Sequence, residues 1–480
     1  MIDDAYITFR YARNLLAGHG LVYNPGEWVL GTTTPLYALI QAGLGWLLGG
    51  MEAPFPEIAW LFNACCDGLA CLLLFLLGRR MDQPVAGYAA AMIWAIAPMS
   101  VTFAIGGMET SLFVLLMLAV LYFHSMKRTS LTAVSMALSI LTRPDALLFV
   151  LPVILERIRW LIPSLHGEEE APELSWREGL LFSIPLVVWG VWSVYQYGSP
   201  IPQSVAAKVA AYNLPREAAL VRLLQHFATP FLGHLTFGTF WIGAGLLLFP
   251  ALFLIAARHV LSRDLSLWPV FIFPVGYFLA FAIANPLIFR WYLTPPLPIY
   301  FLGIFMGIGL LAQSLNFQPS LPLLTAGALV LTLQGWTLHP DHGPDRPAPE
   351  MAYIQLELLY EEAANVLLPE LEPGDVLAAG DIGALGYGTD AVILDTLGLI
   401  SPQAVNYYPL PDDAYVINVA MPAELLLDEL PEYLVALEVY GRETFLTLPS
   451  FSDQYELIHT IPTDIYGSDG MLIFRRLPGR

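Results

Sequence analysis

Ten stretches of this chain are long and apolar enough to be membrane-crossing segments, and nothing else in the sequence narrows the fold as much. They lie, with soft edges, at 57–78, 85–105, 110–124, 130–142, 145–160, 179–197, 236–257, 267–284, 293–312 and 320–338. Lipid offers no hydrogen bonds, so such segments must satisfy their own backbone and become helices, each of about 17–25 residues. The two windows flanking Thr142-Arg143-Pro144-Asp145 are short and need not each cross fully. The block 35–50 is apolar but brief, carries Pro35 and late glycines, and reads as a re-entrant or interfacial helix. Bulk composition agrees: 56% of the 480 residues are hydrophobic and 13% charged, against about 25% charged in soluble domains. The expected fold is mainly α, a polytopic membrane bundle followed by a small α/β domain.

Charge divides the chain in two. Residues 1–340 carry 17 acidic and 16 basic side chains, while residues 341–480 carry 24 acidic and 5 basic ones. The expected organisation is therefore a near-neutral membrane part over 1–338, with 1–56 its first external loop, a Pro/Asp-rich linker at 339–349, and an acidic domain over 350–480. An acidic domain repels phosphate backbones, which argues against nucleic acid. Lys and Arg gather in alternate loops (Arg79-Arg80, Lys127-Arg128, Arg157 with Arg159 and Arg177, Arg258 with Arg263), and the positive-inside rule makes those loops cytoplasmic. The first loop, Gly106 to Glu109, Thr142 to Asp145, the long loop 198–235, Asn285 to Tyr292 and the tail are then extracytoplasmic, on a multi-pass protein of the cell membrane. With 57–78 running inward, this topology implies a further helix ahead of Met1.

The tail alternates helical and strand patterns: a helix from Met351 to Leu368, then strands at Asp375–Ala379, Val392–Asp395, Tyr433–Leu437, Tyr455–Ile461 and Met471–Phe474, as in a small α/β domain. Its Gly380–Gly386 segment lacks the spacing of a nucleotide loop and reads as a turn. Cys65, Cys66 and Cys71 sit in one apolar block as free thiols. The nine histidines are scattered, so no metal site is expected.

The candidate chemistry lies on the external side. Asp3 and Asp4 either cap a helix starting near Ala5, or one serves as a base whose pKa is raised at the membrane surface. Neighbours on a helix diverge by about 100°, so the two should act separately. Glu109 follows Gly106-Gly107 at a helix start, which favours an acid in any case. Arg143 sits between apolar segments, where a charge is paired or functional: it either pairs with Asp145 or faces an anion. Arg290, in Phe289-Arg290-Trp291-Tyr292, is an interfacial anchor or a phosphate ligand, and Lys208 is a weaker case of the same kind.

Taken together, Asp3-Asp4, the run Tyr-Ala-Arg-Asn-Leu-Leu ending at Leu16, Gly18-His19-Gly20-Leu21-Val22-Tyr23-Asn24-Pro25-Gly26-Glu27 and Thr34-Pro35-Leu36-Tyr37 resemble the first external loop of GT-C glycosyltransferases. The branch that includes the mycobacterial terminal arabinofuranosyltransferase is the nearest in pattern. Leu141 to Asp145, Tyr197 to Pro202 with Lys208, Arg290-Trp291-Tyr292, Gly380 to Tyr387 and Asp395 to Leu399 extend the resemblance over nearly the whole chain. The resemblance implies an integral-membrane enzyme that takes sugar from a polyprenyl-phosphate donor and passes it, with inversion, to a glycan, lipid or protein acceptor. It implies Asp4 as the base that activates the acceptor hydroxyl, with Asp3 second. Glu109 is similar to the family's second-loop acid. It places Arg143, Arg290 and Lys208 on the carrier phosphate, and Arg10 and Tyr292 join the expected substrate-binding set. No cofactor is implied. A divalent metal is possible but not favoured, because phosphate already leaves well. The rival readings are a multi-span transporter or lipid flippase, for which inverted repeats are not seen, and a non-catalytic lipid-carrier binding protein.

Overall fold

The computed structural model describes residues 1–162, 175–231, 238–315, 321–334 and 352–478. The expected linker at 339–349 lies outside the described residues. Each apolar window holds helix: α3 (Phe55–Arg80), α4 (Pro84–Ile96) with α5 (Pro98–Ile105), α6 (Thr110–Ser125), α7 (Thr129–Thr142), α8 (Leu147–Leu161), α9 (Trp176–Tyr197), α12 (Gly238–Leu261), α13 (Trp268–Ala284), α15 (Leu297–Ser314) and α16 (Leu321–Gln334). Among the described residues five helical stretches are long and apolar enough to cross a membrane: Phe55–Arg80, Trp176–Tyr197, Ile242–Leu261, Leu265–Ala284 and Arg290–Ser314. The pair α4–α5, bent by 46°, makes a sixth when counted as one span. The bend falls at Ala97-Pro98, where the proline removes a helix donor and pushes the preceding residue to an extended conformation; Ala97 has φ −62° and ψ 130°. The chain is a multi-pass membrane protein.

Three more helices belong to the segments between spans. The interfacial helix expected at 35–50 is α2 (Pro35–Leu48), and its end exposes Trp46, Leu47 and Leu48. The long loop expected at 198–235 holds regular structure over its described part, 198–231. It contains α10 (Gln203–Ala211) and α11 (Ala218–Ala228). Their polar residues and Pro215 interrupt the apolar pattern, which hid both helices from a search for spans.

The basic loops meet at one end of the bundle. Arg80 donates to Asp264 (3.0 Å) and to the Ser125 carbonyl (3.0 Å), and the Trp268 indole donates to Glu156 (2.7 Å). Glu109, Arg143 and Asp145 stand at the opposite helix ends, beside the N-terminal segment.

All five strands expected in the tail are present: β1 (Val376–Ala379), β2 (Val392–Asp395), β3 (Tyr433–Leu437), β4 (Tyr455–Ile461) and β5 (Met471–Arg476), in the order β2-β1-β3-β5-β4. β1 pairs parallel with β2 and β3, while β5 runs antiparallel to β3 and β4. β3 is buried along its whole length, Tyr433 to Leu437, as a central strand covered on both faces must be. Helix α17 (Ala352–Leu367) packs on the short helix α18 (Gly383–Thr389) that follows β1.

The N-terminal segment belongs to this core. One hydrophobic cluster joins Ile2, Ala5, Phe9, Tyr11 and Tyr23 to Tyr360, Leu377, Leu385 and Ile393 of the tail. Helix α1 (Asp3–Leu16) turns Asp3, Tyr6, Arg10 and Arg13 towards the tail, residues spaced three or four apart and hence on one face. Asp3 accepts from the backbone N–H of Gly383 (2.9 Å) and of Ala384 (2.8 Å), so its carboxylate caps α18 rather than its own helix. Tyr6 donates to Glu357 (3.2 Å) and Glu361 (3.1 Å). Asn24 bonds Ile393 in both directions (2.8 and 3.1 Å), covering the open edge of β2 as a further strand would. The expected partition at residue 338 is thus crossed by packing: the first loop and the tail form one body.

Gly383 leaves no room for a side chain, because a Cβ there would collide with the Asp3 backbone and carboxylate. Gly383→Ala is expected to lower stability by about 1–3 kcal/mol, and Asp3→Ala by about 0.5–2 kcal/mol through loss of the cap. Thermal unfolding of the purified protein in detergent measures both.

Candidate functional site

Where the first loop, the outer helix ends and the tail converge, they enclose a cavity of about 880 Å³. That lies within the ordinary range for ligand sites. Its floor comes from α1, whose second face presents Asp4, Ile7 and Thr8, and from Thr32, Thr33 and Thr34. Its sides carry Glu109, Arg143 and Asp145 from the helix ends opposite the basic loops, Lys208 and Tyr212 from the α10 segment, and Trp291 and Tyr292 from the short helix α14 (Arg290–Leu293). Leu147 and Leu148 at the start of α8, with Ala280, Phe281 and Ala284 of the spanning helix α13, make an apolar wall. Leu399 closes the tail side, on a loop tied by Asp395, which accepts from the N–H of Leu397 (2.9 Å) and of Ile400 (3.0 Å). Burial pushes the Asp395 carboxyl up to about 6, against those backbone donors.

A single residue step, about 100° around the helix, separates the two N-terminal acids in role. Asp3 spends both oxygens on the tail, and Asp4 faces the cavity. Burial raises the Asp4 carboxyl above the usual carboxylate range, and the Lys208 ammonium opposes that rise. Lys208 is disfavoured as a cation by its burial, but the Tyr292 phenol and the Asp4 carboxylate outweigh that and hold it above its ordinary value. Its Nζ also lies 5.3 Å from the Phe289 ring centre, a cation–π distance. Asp4 and Lys208 therefore support each other's charge across the site. Behind Asp3 stands Asp381, which accepts from Tyr360 (3.3 Å) and Tyr440 (3.4 Å). Burial and then the neighbouring carboxylates raise both Asp3 and Asp381.

Arg143 anchors the inner wall. Nε and Nη2 grip both Asp145 oxygens at 2.9 Å, and Nη1 donates to Glu109 at 3.3 Å. The guanidinium lies 5.0 Å from the Phe113 ring centre and 4.9 Å from that of Tyr292. Tyr277 donates its single phenolic proton to this region, with Asp145 Oδ2 at 3.3 Å and the Tyr292 carbonyl at 2.6 Å. Both sequence readings of Arg143 therefore describe one residue, paired with Asp145 and lining the cavity. Its second carboxylate partner, Glu109, comes from another helix, a contact that local sequence does not show.

Of the expected site residues, Asp4, Glu109, Arg143, Lys208 and Tyr292 line the cavity, whereas Asp3, Arg10 and Arg290 are not part of its lining. Arg10 is buried under the tail. Nε donates to the Tyr23 carbonyl (2.9 Å), Nη1 to the Gly386 carbonyl and Nη2 to the Ala391 carbonyl (2.7 Å). Nη1 and Nη2 thus join the first loop to the tail while Nε braces the loop itself, and the residue expected to bind substrate stands outside the cavity lining. Arg290 opens α14, and its positive charge acts on Arg222 of α11. The sequence reading missed Thr8, the three threonines 32–34, Tyr212 and Asn213; neutral polar residues beside a turn carry no signal without the fold. Among the described residues no group of three or more His, Cys, Asp or Glu side chains is placed to hold a metal ion.

A family model described as a domain of unknown function (DUF8728) matches residues 349–474. The chain is 32% identical over 118 residues to the terminal β-(1→2)-arabinofuranosyltransferase of Mycobacterium tuberculosis, a stretch that makes up 23% of this chain and 18% of that protein. Among solved structures, ArnT from Cupriavidus metallidurans bound to undecaprenyl phosphate superposes with a TM-score of 0.58 at 13% identity, over 99% of this chain and 94% of that one. The archaeal oligosaccharyltransferase AglB from Archaeoglobus fulgidus, in complex with an inhibitory peptide and a dolichol-phosphate, superposes with a TM-score of 0.55 at 11% identity, over 100% of this chain and 70% of that one. At these identities the likeness is one of fold: the chain has the GT-C glycosyltransferase fold, with a small sheet domain behind its membrane helices.

Replacing Arg143 by Ala leaves Glu109 and Asp145 facing each other without their cation. The expected cost is about 3–5 kcal/mol, the usual penalty for half of a buried pair, with Arg143→Lys intermediate because an ammonium cannot span both Asp145 oxygens. Thermal unfolding in detergent ranks the three proteins.

Proposed function

We propose that this protein is a membrane glycosyltransferase that moves a sugar from a polyprenyl-phosphate donor to an acceptor hydroxyl, with inversion at the anomeric carbon. One observation carries the reading. A carboxylate, Asp4, faces an 880 Å³ cavity shared with two cations, Lys208 and Arg143, and that cavity has an apolar wall of Leu147 and Leu148 with Ala280, Phe281 and Ala284, the last three from the spanning helix α13. The carrier's hydrocarbon chain fits the wall of Leu147, Leu148, Ala280 and Phe281. Its phosphate fits the cations, Lys208 first, since Arg143 already meets two carboxylates. The structural neighbours bound to undecaprenyl phosphate and to a dolichol-phosphate support the same donor class.

In this reaction Asp4 accepts the proton of the acceptor hydroxyl as its oxygen attacks the anomeric carbon. The bond from that carbon to the phosphate oxygen breaks on the opposite face, and its electron pair leaves with the polyprenyl phosphate. Lys208 and Arg143 take up the charge that develops there. Asp3 positions α1 through its grip on the tail and does not touch the reacting atoms. Glu109 orients Arg143. No step requires a metal ion. The cavity and tail face away from the cytoplasm, because the Lys- and Arg-rich loops gather at the other end of the bundle.

Asp4→Asn is expected to lower sugar transfer by about 10²–10⁴-fold, the range for losing a general base. Transfer within a few-fold of wild type would overturn the assignment. A base must be unprotonated to act, so activity should fall as pH drops through the raised Asp4 value, above the ~3.9 of a free Asp. Lys208→Ala removes the charge that opposes the rise, so this acid limb should move to higher pH. A pH profile of kcat/KM for both proteins reads the shift.

A further inference from the structure

Two residues of the Asp4 cavity wall face a second space as well. Asn213 and Leu214 also line a second cleft of about 440 Å³, whose far side is Asp412, Tyr415, Ile417 and Asn418 of the tail. Its two walls are pinned together. The Asn213 N–H donates to the Asn418 carbonyl (3.1 Å), the Asn213 side-chain amide to Asp412 (3.2 Å), and the Tyr415 hydroxyl to the Ala211 carbonyl (3.4 Å). The site chemistry presents one carboxylate, two carboxamides and a phenol, so donors and acceptors stand side by side. Leu214, Pro215 and Ile417 add a small aliphatic face, and among the described residues no cation lines the cleft. This combination recognises hydroxyl groups set on a C–H-rich ring. The surrounding tail is strongly acidic, with 24 acidic against 5 basic residues over 341–480, and repels anionic ligands. A lipid chain would need a longer apolar wall than three residues provide.

We infer that this cleft is a binding subsite for a neutral glycan, holding the sugar units behind the acceptor hydroxyl that enters the Asp4 cavity past Asn213 and Leu214. The inference rests on the transferase reading and names its acceptor class. It also gives the tail a task in the reaction besides seating α1: Asp412, Tyr415 and Asn418 set acceptor specificity, and the chemistry stays with Asp4.

The test uses the full chain in lipid nanodiscs and neutral arabino-, manno- and galacto-oligosaccharides of one to four residues. Binding is followed by saturation-transfer NMR and calorimetry. At least one series should bind saturably and more tightly as its length grows. Asp412→Ala and Tyr415→Ala should each weaken the longest ligand about tenfold, the size expected for losing a hydrogen bond to a polar partner. They should leave the single-residue glycosides and undecaprenyl phosphate within twofold. Asp412 is exposed, and unchanged thermal unfolding of its variant separates lost binding from lost folding. Absence of saturable binding in all three series, binding of the longest ligand by both variants as tight as by the unaltered protein, or preference for sulfated over neutral chains would overturn the inference. Binding is read without turnover, so the two proposals fail separately. Glycan binding through Asp412 with no sugar transfer defeats the transferase reading. Transfer whose acceptor KM ignores both variants defeats the cleft.

Discussion

The grip of Asp3 on the start of α18 is the contact on which the site depends. Its two oxygens meet two backbone N–H groups of the tail, and the neighbouring glycine permits the approach. With α1 held on that face, its next residue has to point about 100° away, and that direction is the cavity. Tyr6, Arg10 and Arg13 repeat the attachment at helical spacing, to Glu357, Gly386 and Asp390. The position of a single cavity carboxylate is therefore set by a surface from the far end of the chain.

A second constraint is electrostatic. Buried charges are costly unless paired, and this cavity pairs them in two groups. Arg143 with Asp145 and Glu109 makes an inner group held by three hydrogen bonds. Asp4 and Lys208 face each other more loosely, through charge and the Tyr292 phenol. The loose pair can exchange partners when a phosphate and a hydroxyl enter, and the tight group can hold its shape meanwhile. That division fits one reactive set and one scaffold within the same polar pocket.

Much of the fold was legible in the residues. Ten apolar windows became helices, and the five strands of the tail stand within a residue or two of where alternation and turn signals put them. Those signals are local: hydropathy over about 20 residues, or β-branched and aromatic runs between turns. Helices α10 and α11 were hidden because a short amphipathic helix between two spans has no such signature. In the site, Asp4, Glu109, Arg143 and Lys208 stood out as charges in greasy surroundings. Arg10 entered only with the family resemblance, and its guanidinium meets backbone carbonyls of the first loop and the tail. A buried arginine reads the same in sequence whether its fork meets ligand oxygens or backbone carbonyls.

By itself the sequence determined a membrane bundle, an acidic sheet-containing tail and a short set of external charges, because each follows from composition over neighbouring residues. Only the tertiary structure decided which of Asp3 and Asp4 faces the cavity, that Glu109 shares Arg143 with Asp145, and that the first loop packs against the tail as well as against the helices that follow it. Those outcomes join residues up to 381 positions apart, and contacts of that span are made by packing alone.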